Sequence, residues 1–216
     1  MERIKKLIKG EKPLTWVFYG DSITHGSTHT FGWRDYTELF AERIRGELGR
    51  PMDIIIDSAI SGNKTRDLLE SFDWRLGRFN PDVVFLMIGM NDCSENCPID
   101  LQEFTENLKL LADKISQIGA ITVLQTTCLI IPNHAPDREP YFSSYMEAIR
   151  NVSLEKSLPL VDHTSYWTEN SDKLFFWMSN AFHPNEYGHR AFAKLIFQSL
   201  DIWDVENSNT CKLFIP

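Results

Sequence analysis

The sequence predicts an α/β fold built on a five-stranded parallel sheet with helices on both faces. Three observations predict it. Short apolar, β-favouring runs alternate along the chain with segments whose apolar residues recur every three or four positions. Regular strand–helix alternation gives parallel strands joined by right-handed crossovers. A chain of 216 residues, 43% hydrophobic and 24% charged, is enough for one large domain with a sizeable core.

Taken in order, residues 1–12 carry lysines, with Ile4, Leu7 and Ile8 spaced as in a short amphipathic helix lying on the domain. They lack a continuous apolar stretch of signal-peptide length. Residues 15–19 read as a buried strand, and Gly20-Asp21-Ser22 as the tight turn that ends it. A helix starting after the turn puts Ser22 beside exposed backbone N–H groups, although Asp-Ser after a strand is equally an ordinary helix cap. A polar loop covers 24–32. Tyr36, Leu39, Phe40, Ile44 and Leu48 predict a helix over 36–48, ended by Gly49. The second strand spans 53–59 around Ile54-Ile55-Ile56, followed by the Ser61-Gly62-Asn63 turn and a helix over 65–72.

The most apolar strand, 83–88, closes on Gly89-Met90-Asn91-Asp92. Asp100, with Glu103 three residues on, resembles a capping box. Leu101, Phe104, Leu108, Leu111, Ile115 and Ile118 form a helical stripe that Gly119 stops. Residues 121–131 contain the fourth strand. Loop 132–140, with three prolines, is expected to form a mobile rim. Tyr145, Ile149 and Val152 mark the next helix, 158–161 the fifth strand, and 184–200 the last helix, with Pro184 suited to its first turn. No repeat or linker interrupts the chain. The expectation is a single domain over 1–216, with segment 1–13 packed on it and 202–216 as a C-terminal tail.

A net charge of −8 argues against nucleic acid or anionic membranes as the main partner. No apolar run approaches bilayer length, and the expected location is the cytoplasm. Cys93, Cys97, Cys128 and Cys211 have neither CxxC nor zinc-ribbon spacing, so no structural metal is expected. Cys93 and Cys97 flank a loop. Reduced thiols are the expectation there, with a disulfide left open.

In a parallel sheet the turns after the strands share one edge, where ligands bind. Ser22, the Ser61-Gly62-Asn63 turn, Asn91-Asp92 and the segment Asn180-Ala181-Phe182-His183-Pro184 can all reach it. These blocks resemble those of the SGNH hydrolases, also called the GDSL esterase/lipase family. Gly20-Asp21-Ser22 is similar to the first block, Gly62 to the glycine of the second, Gly89-Met90-Asn91-Asp92 to the third and Phe182-His183-Pro184-Asn185 to the fifth. They fall in family order across 20–189. The nucleophile elbow of ordinary α/β-hydrolases, G-x-S-x-G, is absent around Ser22.

The resemblance implies a three-layer α/β/α sandwich, flavodoxin-like, and a serine esterase. Ser22 stands in the nucleophile's place and His183 in that of its general base. The Ser22 and Gly62 N–H groups and the Asn91 amide stand where the oxyanion donors belong. Neither metal nor organic cofactor is implied. The expected partner is a small carboxylic ester with a short acyl group, an acetylated carbohydrate being one option. Asp21 and Asp92 are expected to hold turns and caps. Phe175, Phe176 and Trp177 read as core; Trp33, Trp177 and Phe182 are also candidates to line a pocket. The remaining histidines, His25, His29, His134, His163 and His189, read as packed or solvated residues.

One position departs from the family. Asn180 stands where an aspartate usually lies, three residues before the histidine. A carboxylate there fixes the tautomer and stabilises imidazolium, whereas an amide brings no charge and can flip. Three readings are open: a Ser22–His183 dyad oriented by Asn180, a carboxylate from elsewhere such as Asp162, or a weakened site. The alternatives in function are a silent module binding acylated sugars and a thioesterase or acyltransferase using the same residues. A metal-dependent phosphoesterase would need a cluster of Asp and His ligands that the sequence lacks.

Overall fold

Strand β1 (Thr15–Gly20) shows why the chain folds around it. Its side chains alternate between faces. Trp16 and Phe18 meet the ring of Phe40, Phe18 stacking also on Phe85 at 4.9 Å. On the opposite face the Tyr19 hydroxyl donates to the Leu68 carbonyl at 2.6 Å. Both faces are therefore covered, and Trp16 through Tyr19 are fully buried. Truncating a core aromatic such as Phe18 to alanine costs about 3–5 kcal/mol.

The computed structural model describes residues 1–212 and Ile215; Leu213, Phe214 and Pro216 of the expected tail lie outside the described residues. The remaining strands are β2 (Ile54–Asp57), β3 (Val83–Met87), β4 (Ile121–Gln125) and β5 (Leu160–Val161). All pair in parallel, in the order β2-β1-β3-β4-β5, as a flavodoxin-like α/β sandwich requires. The helices are α1 (Glu2–Ile8), α2 (Ser22–His25), α3 (Tyr36–Ala41), α4 (Thr65–Glu70), α5 (Phe72–Arg75), α6 (Leu101–Gln117), α7 (Glu139–Glu155), α8 (His163–Glu169), α9 (Leu174–Trp177) and α10 (Glu186–Ser199). Helix α10 packs on α3, α8 and α9, while α6 packs on α4 and α7. Among the described residues no helix is long and apolar enough to cross a membrane.

The departures from the sequence expectations have local causes. Strand β2 is an edge strand, so Ile54 is exposed despite its apolar sequence. The expected helix over 36–48 is α-helical only to Ala41 and continues as a π-helical segment, Glu42–Glu47. There Arg43 is committed to the Ile202 carbonyl and to Glu47. Glu47 in turn receives Ser208, Asn209 and Thr210, which ties down the end of the chain. The helix expected over 65–72 divides at Ser71 into α4 and α5. Pro184 precedes α10 rather than entering it: Asn185 is the cap, its Oδ1 accepting from Tyr187 and Gly188. Helices α8 and α9 carry no clear apolar period, so the sequence does not announce them.

Candidate active site

The carboxyl edge of the sheet assembles the site. At the end of β1, Gly20 is required by close approach, since a Cβ there would strike the Met87 carbonyl of β3. Asp21 caps α2, its Oδ1 accepting the Ile23 N–H at 2.9 Å. Ser22 follows as the first residue of α2, largely buried.

Asp21 and Asp92 are both fully buried, and each keeps one carboxyl oxygen without a partner among the described residues. Burial pushes Asp21 up to about 7, with Asp92 adding to the effect, and pushes Asp92 up to about 6. The folded Asp21 thus keeps a proton that the unfolded chain releases near pH 4. Its stabilising contribution is complete below the unfolded value of 3.8 and is lost as pH rises through about 7. Asp21→Asn keeps the cap acceptor and removes the titration. Relative to the parent it should gain roughly 4 kcal/mol of stability between pH 4 and pH 8. Urea unfolding at the two pH values checks this; a constant difference between the proteins would refute it.

His183 reaches Ser22 from the loop before α10. Its Nε2 lies 2.8 Å from Ser22 Oγ, and its Nδ1 lies 3.0 Å from Asn180 Oδ1. The same Asn180 oxygen accepts the backbone N–H groups of Phe182 at 3.2 Å and His183 at 3.0 Å. Two N–H donors fix which end of the amide faces the ring, because its NH₂ cannot accept from them. Asn180 therefore accepts from Nδ1–H, which leaves Nε2 unprotonated toward Ser22. Burial lowers His183 to about 4, with His29, Arg138 and His189 adding repulsion of the imidazolium. The ring is neutral at pH 7, the form a general base needs.

The third and second blocks meet beside this pair. Asn91 Nδ2 donates to the Asn63 carbonyl at 3.0 Å, joining the end of β3 to the Gly62 turn. Gly62 has φ +84°, a left-handed conformation that a side chain would strain. The N–H groups of Ser22 and Gly62 find no acceptor among the described residues. Asp92 ties the start of α4 by accepting from Thr65 N at 2.9 Å and Thr65 Oγ1 at 2.7 Å. Asn91 and Gly62 line a common cavity of about 220 Å³.

Other expected residues lie elsewhere. Asp162 faces Arg150, Thr126 and Ser165, not His183; these partners hold its carboxyl well below the usual range. The orienting role suggested for it fails on position. Trp33 is exposed and borders a separate hollow with Leu39 and Glu42. Trp177 is buried against Tyr166 and Trp167, supporting the loop from below. Phe175 and Phe176, read as core, are instead exposed. Phe182 does stand at the site, its ring 4.6 Å from that of His183. The four cysteines are unpaired. Among the described residues no group of three or more His, Cys, Asp or Glu is placed to hold a metal.

Two site residues escaped the sequence reading. His29, assigned to packing or solvent, stacks face to face on His183 at 3.8 Å with 10° between the planes. Arg138 comes from the loop expected to be a mobile rim, which is pinned instead. Its Nε donates to the Met90 carbonyl at 3.1 Å and its guanidinium lies over Phe182 at 4.1 Å. A lone arginine between prolines carries no signal of this kind.

Comparison with known proteins addresses family and fold. The family described as the GDSL-like lipase/acylhydrolase family matches residues 18–191. An acetylxylan esterase of Geobacillus stearothermophilus is 24% identical over 218 residues, covering 90% of this chain and 96% of that protein. The match to an uncharacterized Mycoplasma pneumoniae protein, 30% identical over 109 residues, covers 49% of this chain and only 12% of that longer one. Among solved structures, an acetyl-xylooligosaccharide esterase of the same Geobacillus species superposes with a TM-score of 0.75 at 20% identity, covering 88% of this chain and 96% of that one. Catalytic mutants of that esterase replace a serine, a histidine and an aspartate, the aspartate three positions before the histidine. Asn180 has the same spacing from His183 here. With the profile spanning most of its length, the chain belongs to the GDSL-like lipase/acylhydrolase family.

Proposed function

We propose that the protein is a serine esterase acting on small carboxylic esters with short acyl groups, acetyl esters of carbohydrates among them. The observation that carries this reading is the relay Ser22 Oγ–His183 Nε2 at 2.8 Å and His183 Nδ1–Asn180 Oδ1 at 3.0 Å. Ser22 attacks the ester carbonyl as His183 takes its proton. The oxyanion is met by the N–H groups of Ser22 and Gly62 and by the Asn91 amide. His183 then returns the proton to the leaving alcohol, and water activated by the same ring cleaves the acyl-enzyme. The similarity to an acetylxylan esterase favours a sugar ester.

The deciding experiment is p-nitrophenyl acetate hydrolysis by the parent and by Ser22→Ala. Equal slow rates would favour a binding module instead. Asn180→Asp examines the missing charge. Because the amide already selects the right tautomer, only the charge is gained. The expected rise in kcat is about tenfold near pH 8, the difference between a neutral and a charge-assisted hydrogen bond. The carboxylate also favours the imidazolium, so the acidic limb of kcat/KM should move up from near pH 4. An unchanged pH profile would remove Asn180 from the relay.

A further inference from the structure

The cavity that Gly62 and Asn91 line is completed by Lys64, Ser94, Asn96, Cys97 and Arg138. No carboxylate lines it, on a chain whose net charge is −8. Two cations do. Arg138 has a side chain 17% exposed, with Nε on the Met90 carbonyl and Nη1 3.0 Å from Asp137. Its Nη2 has no partner among the described residues. The same Asp137 oxygen also accepts from Ser94 Oγ at 2.9 Å, so this carboxylate offsets part of the Arg138 charge from beside the cavity wall. Lys64, just before α4, has no ion pair among the described residues. The cavity thus brings two cationic side chains beside Gly62 and Asn91 and is large enough for a sugar-sized group.

Its position identifies the half of the substrate it meets. Arg138 lies over Phe182, the residue preceding His183. In the reading above, His183 hands its proton to the leaving oxygen, so the alcohol half projects toward Phe182 and Arg138. A partly buried guanidinium whose Nη2 is unengaged among the described residues, lining one cavity with the Lys64 ammonium, matches a carboxylate. We infer that the preferred substrate is an ester whose alcohol half carries a carboxylate, held between Lys64 and Arg138. This rests on the esterase reading and narrows its substrate class.

The test compares 4-acetoxybenzoate with its uncharged methyl ester, each rate divided by that ester's alkaline hydrolysis rate. The parent should prefer the anion by about tenfold in kcat/KM, chiefly through KM, and less in 0.5 M salt. Lys64→Gln and Arg138→Gln should each lower the preference several-fold, and Arg138→Lys should retain most of it. A parent ratio near one, or a ratio that neither glutamine variant changes, overturns the inference. Arg138 also anchors its loop, so Lys64→Gln carries the test if the arginine variant fails to fold. Calorimetric binding of both compounds to Ser22→Ala separates the two readings. A preference for the anion there, with no Ser22-dependent turnover in the parent, would sink the esterase reading alone. Equal affinities would sink the charge site alone.

Discussion

Ser22→Ala is expected to lower kcat for p-nitrophenyl acetate by at least about 10⁴-fold while leaving the fold intact. In the proposed mechanism the nucleophile and its base act as a unit, so removing either loses nearly the whole of their joint effect. What remains comes from the oxyanion donors and binding alone. Among the described residues the side chain's one hydrogen bond is to His183, so its loss leaves the core untouched. A thermal midpoint within a few degrees of the parent's should accompany the loss. A variant retaining a tenth of the activity would show that another group attacks.

Asn91→Ala carries the next largest effect. Its amide stands in the place of an oxyanion donor and also clamps the Asn63 carbonyl. Removing one such donor costs on the order of 10²–10³ in kcat. Releasing the clamp frees the Gly62 turn as well, which puts the expected loss toward the upper end of that range. The loss should fall on kcat rather than KM, because the charge on the carbonyl oxygen develops only in the transition state. A variant that raises KM alone would move Asn91 from transition-state stabilisation to ground-state binding.

Much of this was legible in the sequence because the signals were local. The apolar runs around Phe18 and Phe85 and the stripe from Phe104 to Ile115 gave sheet and helix correctly, since those side chains are buried where their period puts them. Ser22, Gly62, Asn91 and His183 could be singled out because each sits in a short block that follows a strand or precedes a helix at the same sheet edge. The partners of a side chain were not readable. Nothing in the spelling of loop 132–140 announces that Arg138 folds inward, and nothing near His29 says its ring meets His183. Asp162 is the converse case: a carboxylate close to the fifth strand looked available until Arg150 claimed it. Asn180 was ambiguous for a different reason. An amide has two faces, and only the backbone N–H groups of Phe182 and His183 decide which one turns inward.

The stacked imidazoles have a consequence for how the proton moves. One face of His183 is covered by His29, Phe182 tilts against it at 4.6 Å, and both nitrogens are already engaged. A ring so boxed in cannot swing between donor and acceptor like a pendulum. In the proposed reaction, serine, departing alcohol and incoming water would each meet the ring at the same fixed position, Nε2, one after another.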